Sequence, residues 1–360
     1  MINPLANDLD DVLSATASAW EELRNNRIFI TGGTGFFGCW LLETFAWIND
    51  RLNLNAMAVV LTRDPERLRE QAPHLAGHRG IQLHVGDIRD YRFPEGSFTH
   101  VIHAATEASA ILNTQQPELM LDTIVRGTAR CLQFAARSGA RKFLLTSSGA
   151  VYGTQPPELT HTPETFAGSP DVLLAGSAYG EGKRIAELQS VLASRTGKLE
   201  AKIARCFAFA GPYMKLDQHF AIGNFMLDAL QGGPIVVKGD GTPLRSYLYA
   251  SDLMTWLWTI LFRGETCRAY NVGSEDAVSV AELARLVAKL SSPDIVVQVK
   301  GTPLGGPAAR YVPCTNRART ELGLQQRISL ADAIQKTVNW LRHRKLNTVN
   351  LAPVAEGTKA

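Results

Sequence analysis

The chain has 360 residues, of which 45% are hydrophobic and 20% are charged, and its formal net charge is +3. This is the balance of a globular protein with room for one large core or two moderate domains. The 37 basic residues are spread along the chain rather than clustered, so nucleic acid is not expected as a partner.

The N-terminal segment and the cysteines indicate the compartment. Acidic residues from Asp8 to Glu22 interrupt the N-terminal segment, so no signal peptide is predicted. No apolar stretch reaches the ~18 residues of a membrane span. The five cysteines form no CxxC pair, which is typical of buried thiols in a reducing cytoplasm. We therefore expect a cytoplasmic protein without a membrane partner, and without a metal because no cluster has ligand spacing.

Residues 1–26 are expected to form a helical lead-in with one short helix at residues 14–24. Short apolar runs then alternate with helical patterns, which predicts βαβ units and a parallel sheet. The predicted strands are residues 27–30, 56–61, 81–85, 99–103, 142–146 and 201–206. The predicted helices are residues 36–48, 65–71, 118–138 and 178–194.

The pattern changes after these units. Residues 154–177 are rich in Pro, Thr and Gly and are expected to form a surface loop. The fold class is therefore α/β: a Rossmann-type doubly wound parallel sheet, mainly residues 27–210, with a smaller mixed α/β substrate domain, mainly residues 211–346. Residues 347–360 lack periodicity and are expected to be a disordered tail.

A glycine-rich turn follows the first predicted strand and opens a helix. Its glycines Gly33, Gly35 and Gly38 fit the GxGxxG fingerprint of dinucleotide-binding domains. Such glycines allow a tight turn and let a pyrophosphate approach the helix N-terminus. The alternative is a glycine-rich turn without a ligand, which the strand before it and the βα pattern after it disfavour. The predicted cofactor-binding residues here are Gly32, Gly35, Phe36, Phe37 and Gly38.

The end of the second predicted strand bears on the choice between NAD and NADP. An acidic residue is expected there to hold the ribose hydroxyls of NAD, but the position is occupied by Thr62, and Arg63 follows. An arginine at this place accommodates the 2′-phosphate of NADP. Thr62 and Arg63 therefore favour NADP, with the alternative that Arg63 is only a solvated loop residue.

Tyr179 and Lys183 are four residues apart in a predicted helix and so share a face. A nearby cation stabilises a phenolate and lowers the pKa of a tyrosine, which can then take a proton from a sugar hydroxyl. The YxxxK pattern also occurs by chance on helix surfaces. It gains weight from Ser147 and Ser148 at the end of a predicted strand, where a hydroxyl can bind the reacting oxygen.

The glycine turn, the YxxxK helix and the serine pair together resemble the extended short-chain dehydrogenase/reductase family, and within it the nucleotide-sugar epimerases and dehydratases. The resemblance covers about residues 27–342. It implies tightly bound NAD(P), a nucleotide-diphosphate sugar as substrate, and a homodimer. Further implied cofactor-binding residues are Asp87 at the adenine, Ile88, Ala104, Ala105, Ser147, Tyr179, Lys183 and Pro212. Implied substrate-binding residues are Ser148, Asn224, Arg245 and Arg310.

Departures from the family pattern bear on the reaction. The 4,6-dehydratases follow the catalytic Ser/Thr with Asp-Glu, and the decarboxylases have Glu at the second of these places. Here the two places are Gly149 and Ala150, which carry no proton. Two asparagines usual in the family are replaced by Ile124 and Ala208. The small neutral pair Gly149 and Ala150 is similar to the residues that the 4-epimerases have at these two places.

We therefore expect a 4-epimerase that acts through a transient 4-keto sugar. In it Tyr179 is the base, Lys183 lowers its pKa and holds the nicotinamide ribose, and Ser148 binds the sugar oxygen. One alternative is a dehydratase or 4-keto reductase whose acid is relocated to Glu181 or Glu107. Another is a non-catalytic NAD(P)-binding regulatory protein, which the intact Ser148, Tyr179 and Lys183 argue against. His219 is a further candidate for a phosphate contact, or a structural residue.

Overall fold

A computed structural model describes residues 3–106, 110–195, 197–216, 220–303 and 305–349. Within these ranges, no helix is both long enough and apolar enough to cross a membrane. The strands are β1 (Arg27–Thr31), β2 (Met57–Thr62), β3 (Ile81–Val85), β4 (His100–His103), β5 (Lys142–Ser148), β6 (Glu200–Cys206), β7 (Phe209–Ala210), β8 (Ile235–Val237), β9 (Leu244–Arg245), β10 (Leu248–Tyr249), β11 (Ala269–Val272), β12 (Val278–Ser279), β13 (Val297–Val299) and β14 (Arg310–Tyr311).

The α-helices are α1 (Ala6–Thr16), α2 (Phe36–Arg51), α3 (Pro65–Gln71), α4 (Pro73–Ala76), α5 (Ala110–Gln115), α6 (Pro117–Ser138), α7 (Ala178–Ser194), α8 (Ala221–Leu230), α9 (Ala250–Arg263), α10 (Val280–Ser291), α11 (Asn316–Leu322) and α12 (Leu330–Val349). Short 3₁₀ helices span Ala17–Leu23, Gly149–Tyr152 and Ala175–Ser177. The predicted tail begins inside α12, and residues 350–360 lie outside the described ranges.

Seven strands form one sheet in the order β11-β6-β5-β4-β1-β2-β3, and each neighbouring pair is parallel. The strand order reverses between β1 and β4, which opens a crevice at the carboxyl ends of these strands. The prediction of a Rossmann-type parallel sheet is confirmed. Ligands of such sheets bind at this reversal, so the glycine turn after β1 stands at the expected place.

Helices cover both faces of the sheet, because the middle residues of its central strands are apolar and buried on both sides. On one face α1, α2 and α9 share a core that includes Trp20, Trp40, Trp256 and Trp258. On the other face α6 and α7 pack over a second core that includes Phe29, Phe134 and Phe143. Two elements from beyond residue 210, β11 and α9, thus belong to this layered unit.

A smaller mixed unit lies beyond the large sheet. The parallel pair β8 and β13 packs with α8, α10 and α12 around a separate apolar core. A three-stranded sheet in the order β12-β9-β14 accompanies it. The register of this sheet places Arg245 beside Tyr311.

The N-terminal helix differs from the prediction at residues 14–24. An α-helix spans Ala6–Thr16 instead, and a 3₁₀ helix follows at Ala17–Leu23. The sequence pattern that indicates this helix is the spacing of Leu5, Leu9 and Val12, which are buried on one face. Asp8 interrupts this apolar pattern with a charged residue that is nevertheless buried. Its carboxylate is paired with the Tyr249 hydroxyl at 2.8 Å and with Lys336 at 2.7 Å.

Candidate active site at the carboxyl ends of the strands

The glycine turn has the backbone that its sequence predicts. Gly32 has a φ of 75°, and a Cβ there would lie 2.5 Å from the carbonyl oxygen of Ala104. A Cβ at Gly38 would overlap the carbonyl oxygen of Gly32. These close approaches bring β1, α2 and the loop after β4 together as only glycine permits.

The turn leads into the N-terminus of α2, which receives no side-chain cap. Gly35 occupies the cap position, and no acidic residue lies in the first turn. The first N–H groups of a helix have no partner within the helix, and they attract negative charge. The 16-residue helix α2 therefore begins with donors suited to a pyrophosphate, and Phe36 and Phe37 lie in its first turn.

A buried hydrogen-bond network fixes the ends of β1 and β4, and sequence reasoning missed it. The Thr31 hydroxyl accepts the N–H groups of Ala104 and Ala105 at 3.2 and 3.1 Å, and it lies 2.9 Å from His103 Nδ1. The other ring nitrogen of His103 lies 3.1 Å from the Thr128 hydroxyl. Burial, assisted by the charge of Lys183, lowers the pKa of His103 to about 3, so the ring is neutral.

At the predicted adenosine end, the Thr62 hydroxyl binds its own loop. It donates to the Asp64 carbonyl at 3.0 Å and accepts the Asp64 N–H at 3.1 Å. The carboxylate of Asp87 is paired with Arg89, which sequence reasoning missed, at 2.8 Å. The hydrogen bond from Arg89, with a smaller contribution from Arg63, lowers the pKa of Asp87. The edge beyond β2 and β3 thus places two guanidinium groups close to one carboxylate.

Ser148, Tyr179 and Lys183 come together where β5 ends and α7 begins. Lys183 is buried, and its ammonium donates to the Thr106 hydroxyl at 3.0 Å and to the Thr146 carbonyl at 2.8 Å. Its nitrogen lies 5.9 Å from the centre of the Tyr179 ring. Ser148 is buried at the end of β5, and its hydroxyl accepts the Ala150 N–H at 3.1 Å. Its hydroxyl also acts to lower the pKa of Tyr179.

The pKa of Tyr179 differs from the sequence-based expectation. Burial raises it to about 12, and the hydrogen bond with Ser148 offsets only part of this rise. Burial likewise lowers the pKa of Lys183 to about 8. The reason is that desolvation disfavours both charged forms, while the Lys183 ammonium is directed to Thr106 and the Thr146 carbonyl.

The predicted cofactor contact of Ser147 meets a competing interaction. The Ser147 hydroxyl donates to Glu187 at 2.5 Å, and Glu187 is paired with Arg205 at 2.7 and 2.9 Å. Arg205 in turn donates to the Tyr152 hydroxyl at 2.9 Å. A cofactor contact from Ser147 would therefore come from its backbone. The Ser147 side chain links β5 to α7 through Glu187, and Glu187 in turn links α7 to β6 through Arg205.

The space after Ser148 is filled by aromatic rings. A Cβ added at Gly149 would lie 2.7 Å from the Tyr311 hydroxyl and 2.8 Å from two ring atoms of Phe207. The rings of Phe207 and Tyr311 pack with their centres 4.7 Å apart. The place of the dehydratase Asp therefore has no room for a carboxylate. Ile124, at one of the missing asparagines, is buried against Gly182.

The remaining predicted residues lie on several elements. The Pro212 carbonyl accepts the indole N–H of Trp40 at 2.9 Å, which ties this segment to α2. Arg245 and Arg310 lie on the paired strands β9 and β14. Asn224 lies in the first turns of α8, and Ile88 is buried against Gly127.

The placement of Glu181 does not support it as a relocated acid. Glu181 lies in a groove with Arg184, Ile185, Glu187 and Cys267, rather than with Ser148. Glu107 and His219 lie outside the described residues. Among the described residues, no group of three or more His, Cys, Asp and Glu side chains is arranged to hold a metal ion.

Residues 28–273 match the family model described as "NAD dependent epimerase/dehydratase family". The chain belongs to this family. The chain is similar to UDP-glucuronic acid decarboxylase 1 of Arabidopsis thaliana, with 31% identity over 89% of this chain and 71% of that protein. UDP-glucuronic acid decarboxylase 6 of the same plant is 32% identical over 86% and 87%. The chain is thus an enzyme, and it is related to proteins that act on nucleotide sugars.

Solved structures share the fold of this chain. UDP-glucose 4-epimerase of Thermotoga maritima, solved with UDP-glucose, has a TM-score of 0.75 at 21% identity and covers 89% of this chain and 99% of its own. The dTDP-glucose 4,6-dehydratase of Streptomyces venezuelae, solved with NAD, has a TM-score of 0.74 at 23% identity, covering 89% and 98%. The expectation of an extended short-chain dehydrogenase/reductase is confirmed.

Proposed function

We propose that the protein is a nucleotide-sugar 4-epimerase that acts through a transient 4-keto sugar. The observation that carries the proposal is the meeting of Ser148, Tyr179 and Lys183 beside the strand reversal, next to Gly149 and Ala150. The first three residues supply what oxidation at an alcohol carbon needs. The last two offer no side chain for elimination of water.

The residues of the chain divide the work as follows. Tyr179 takes the proton of the sugar 4-hydroxyl as the hydrogen on C4 leaves as hydride. Ser148 donates a hydrogen bond to the same oxygen, and Lys183 holds the nicotinamide ribose and supplies positive charge near the phenol. When bound, a nicotinamide dinucleotide would supply the hydride acceptor. After the keto sugar has rotated in the site, it would supply the hydride donor. Return of hydride to the opposite face of the ketone gives the 4-epimer.

The residues present fit such a cofactor. Close packing against backbone at Gly32 and Gly38 gives the tight turn that such a cofactor needs after β1, and α2 presents uncapped N–H groups. For the choice of dinucleotide we propose NADP, because Thr62 leaves the end of β2 without a carboxylate and Arg63 and Arg89 lie near Asp87. Mass spectrometry of the cofactor released on denaturation tests this. Release of NAD alone would overturn the preference for NADP and leave the epimerase proposal intact.

Incubation of the purified holoenzyme with UDP- and dTDP-hexoses tests the reaction. A product of unchanged mass, formed without net consumption of NAD(P)H, supports a 4-epimerase. Loss of water would indicate a dehydratase and refute the proposal, and net oxidation of NAD(P)H would indicate a reductase. Tyr179→Phe should abolish turnover while cofactor binding persists. Retained turnover in this variant would refute the role of Tyr179, and absence of turnover with every sugar would favour a regulatory protein.

Similarity to the UDP-glucuronic acid decarboxylases supports a second candidate. Oxidation of a uronic acid at C4 places a ketone β to the carboxylate, and such acids lose carbon dioxide readily. Decarboxylation therefore depends less on a general acid from the protein than dehydration does. Against this candidate, Ala150 replaces the glutamate usual in decarboxylases. UDP-glucuronic acid separates the two, because a decarboxylase releases carbon dioxide from it and a 4-epimerase returns an isomer.

We propose that the substrate diphosphate lies against Asn224, Arg245 and Arg310, since the pairing of β9 with β14 brings the two arginines to one small sheet.

We also propose a homodimer. It is supported by an exposed apolar row on α7, formed by Ile185, Leu188 and Leu192, whose exposed fractions are 38%, 57% and 50%. A row at this spacing lies along one helix face and is suited to a partner helix.

A further inference from the structure

Asn113 lies on α5 and binds the start of α7, the helix that carries Tyr179 and Lys183. Its side-chain oxygen accepts the backbone N–H of Tyr179 at 3.0 Å, and its side-chain nitrogen donates to the carbonyl oxygen of Gly176 at 2.7 Å. One amide side chain thus holds both the catalytic tyrosine and the turn before it. The contact is a tertiary one, because Asn113 and Tyr179 are 66 residues apart along the chain.

The start of α7 depends on this contact because its own cap residue is engaged elsewhere. The first N–H groups of a helix have no partner within the helix. Ser177 stands at the cap position of α7, but its hydroxyl donates to the Asp171 carbonyl at 2.5 Å instead of capping the helix. Asn113 therefore supplies, from outside the helix, the acceptor that an N-cap side chain usually provides.

The loop just before the turn at Ala175–Ser177 gains little from apolar packing. Three of its residues are 73%, 89% and 61% exposed, namely Val172, Leu173 and Leu174. Asp171 closes the loop on itself, since its carboxylate accepts the Leu173 N–H at 3.0 Å. The hydrogen bond from Asn113 to Gly176 is accordingly an anchor between this loop and α5.

Lys183 is held by other groups. Its ammonium donates to the Thr106 hydroxyl at 3.0 Å and to the Thr146 carbonyl at 2.8 Å. It also lies about one helical turn beyond Tyr179, away from the end of α7 that Asn113 binds. Loss of the Asn113 amide should therefore disturb Tyr179 and spare Lys183.

We propose that Asn113 is a positioning residue that fixes the first turn of α7 and thereby keeps the Tyr179 phenol in place beside Lys183. It acts through the backbone of Tyr179, and the chemistry of the cycle stays with the phenol. The inference rests on the proposed function, because the position of the phenol matters to turnover only if Tyr179 is the base.

Asn113→Leu tests the inference, because it keeps the branched shape of the side chain and removes both hydrogen bonds. The first measurement is the nuclear magnetic resonance spectrum of the cofactor-loaded protein labelled with ¹³C in its eight tyrosine rings. Tyr179→Phe identifies the resonance of Tyr179. We expect Asn113→Leu to move or broaden that resonance, because the phenol is no longer fixed with its ring centre 5.9 Å from the Lys183 ammonium. An unchanged Tyr179 resonance would overturn the inference.

The second measurement is turnover. Loss of one oriented hydrogen bond predicts a kcat about tenfold lower. KM and the amount of retained cofactor should be little changed, since Lys183 keeps its own partners. Asn113→Asp should recover most of kcat, because a carboxylate oxygen still accepts the Tyr179 N–H and negative charge is favoured at the start of a helix. A wild-type kcat in Asn113→Leu would contradict the inference.

The matched control is Ser329→Ala, which removes the hydroxyl that accepts the Asp332 N–H at 3.1 Å at the start of α12, in the smaller unit. It should lower the urea midpoint, as the loss of a helix cap does, and leave kcat and the Tyr179 resonance unchanged. If both variants lowered kcat equally, Asn113 would contribute to stability alone and the inference would fail.

Two further outcomes are separable. If no nucleotide sugar reacts, the proposed function fails, but the Tyr179 resonance still decides whether Asn113 positions the phenol. If Asn113→Leu does not fold, Asn113→Asp decides, because it keeps the acceptor for Tyr179 and loses the donor to Gly176. Its Tyr179 resonance should stay close to that of the wild type, and a displaced resonance with a kcat lowered about tenfold would refute the assigned contact.

Discussion

The ion pair between Glu187 and Arg205 offers a sharp test of how the active-site layer is held together. The two side chains are only 11% and 17% exposed, and their two hydrogen bonds measure 2.7 and 2.9 Å. Glu187 also accepts the Ser147 hydroxyl at 2.5 Å. Glu187→Ala leaves the guanidinium of Arg205 buried without its anion and the Ser147 hydroxyl without its acceptor.

Removing one partner of a buried pair costs about 3–5 kcal/mol, because the remaining charge stays desolvated. Both side chains here are close to fully buried, so we expect Glu187→Ala to lower the free energy of unfolding by about 3 kcal/mol or more. Urea denaturation followed by circular dichroism measures the change, with ligand-free wild type beside it. Glu187→Gln should cost less, since its amide oxygen still accepts a hydrogen bond.

The matched control is Glu66→Ala, which breaks a pair with Arg69 whose side chains are 68% and 53% exposed. Such exposed pairs contribute about 0–1 kcal/mol. A loss at Glu187 no larger than the loss at Glu66 would refute the view that burial makes the Glu187 pair a main support of β5 and α7.

Three further predictions concern the cofactor, acid stability and assembly. Thr106→Val removes an acceptor 3.0 Å from the Lys183 ammonium, so cofactor retention and kcat should fall, the latter by about tenfold, as measured by released cofactor and turnover. The pKa of His103 is lowered to about 3 in the folded chain, whereas an unfolded histidine has a pKa of ~6.5. Between these two pH values the unfolded chain therefore binds a proton that the folded chain does not bind. Stability should therefore fall as pH falls from 6.5 towards 3, and a folded His103→Asn variant should show a shallower fall in urea titrations. Leu188→Glu should convert a dimer to monomers in light scattering while the far-ultraviolet circular dichroism is unchanged, whereas a persisting dimer would place the interface elsewhere.

Contiguous motifs made part of the site predictable from sequence. The glycine turn is read from neighbouring residues, because backbone approach at Gly32 and Gly38 excludes every other residue type. Tyr179 and Lys183 are one helical turn apart, so their shared face follows from helix geometry. Alternating apolar runs likewise predicted the parallel sheet, since strands buried on both faces are apolar throughout.

Residues brought in from distant segments left no such signal. Tyr311 is brought to Gly149 through the pairing of β14 with β9, and a single tyrosine in a loop-rich stretch does not reveal that pairing. Arg89 was missed for a different reason, since it lies only two residues after Asp87 and the sequence does not show that its side chain turns back to pair with that carboxylate. The direction of the Tyr179 pKa was wrong because sequence gives the spacing to Lys183 and gives no measure of burial, which is the larger influence here.

The edge strand β11 and the helix α9 have a consequence for the order in which the protein can be built. Both belong to the large layered unit, yet both follow the start of the smaller one along the chain. During synthesis the chain emerges from its N-terminus, so the parallel sheet stays open at β6 until residue 272 has left the ribosome. A fragment ending at residue 210 would expose that strand edge and the apolar surface that α9 covers. The two units are therefore interleaved, and a cut between them in sequence does not separate them in space.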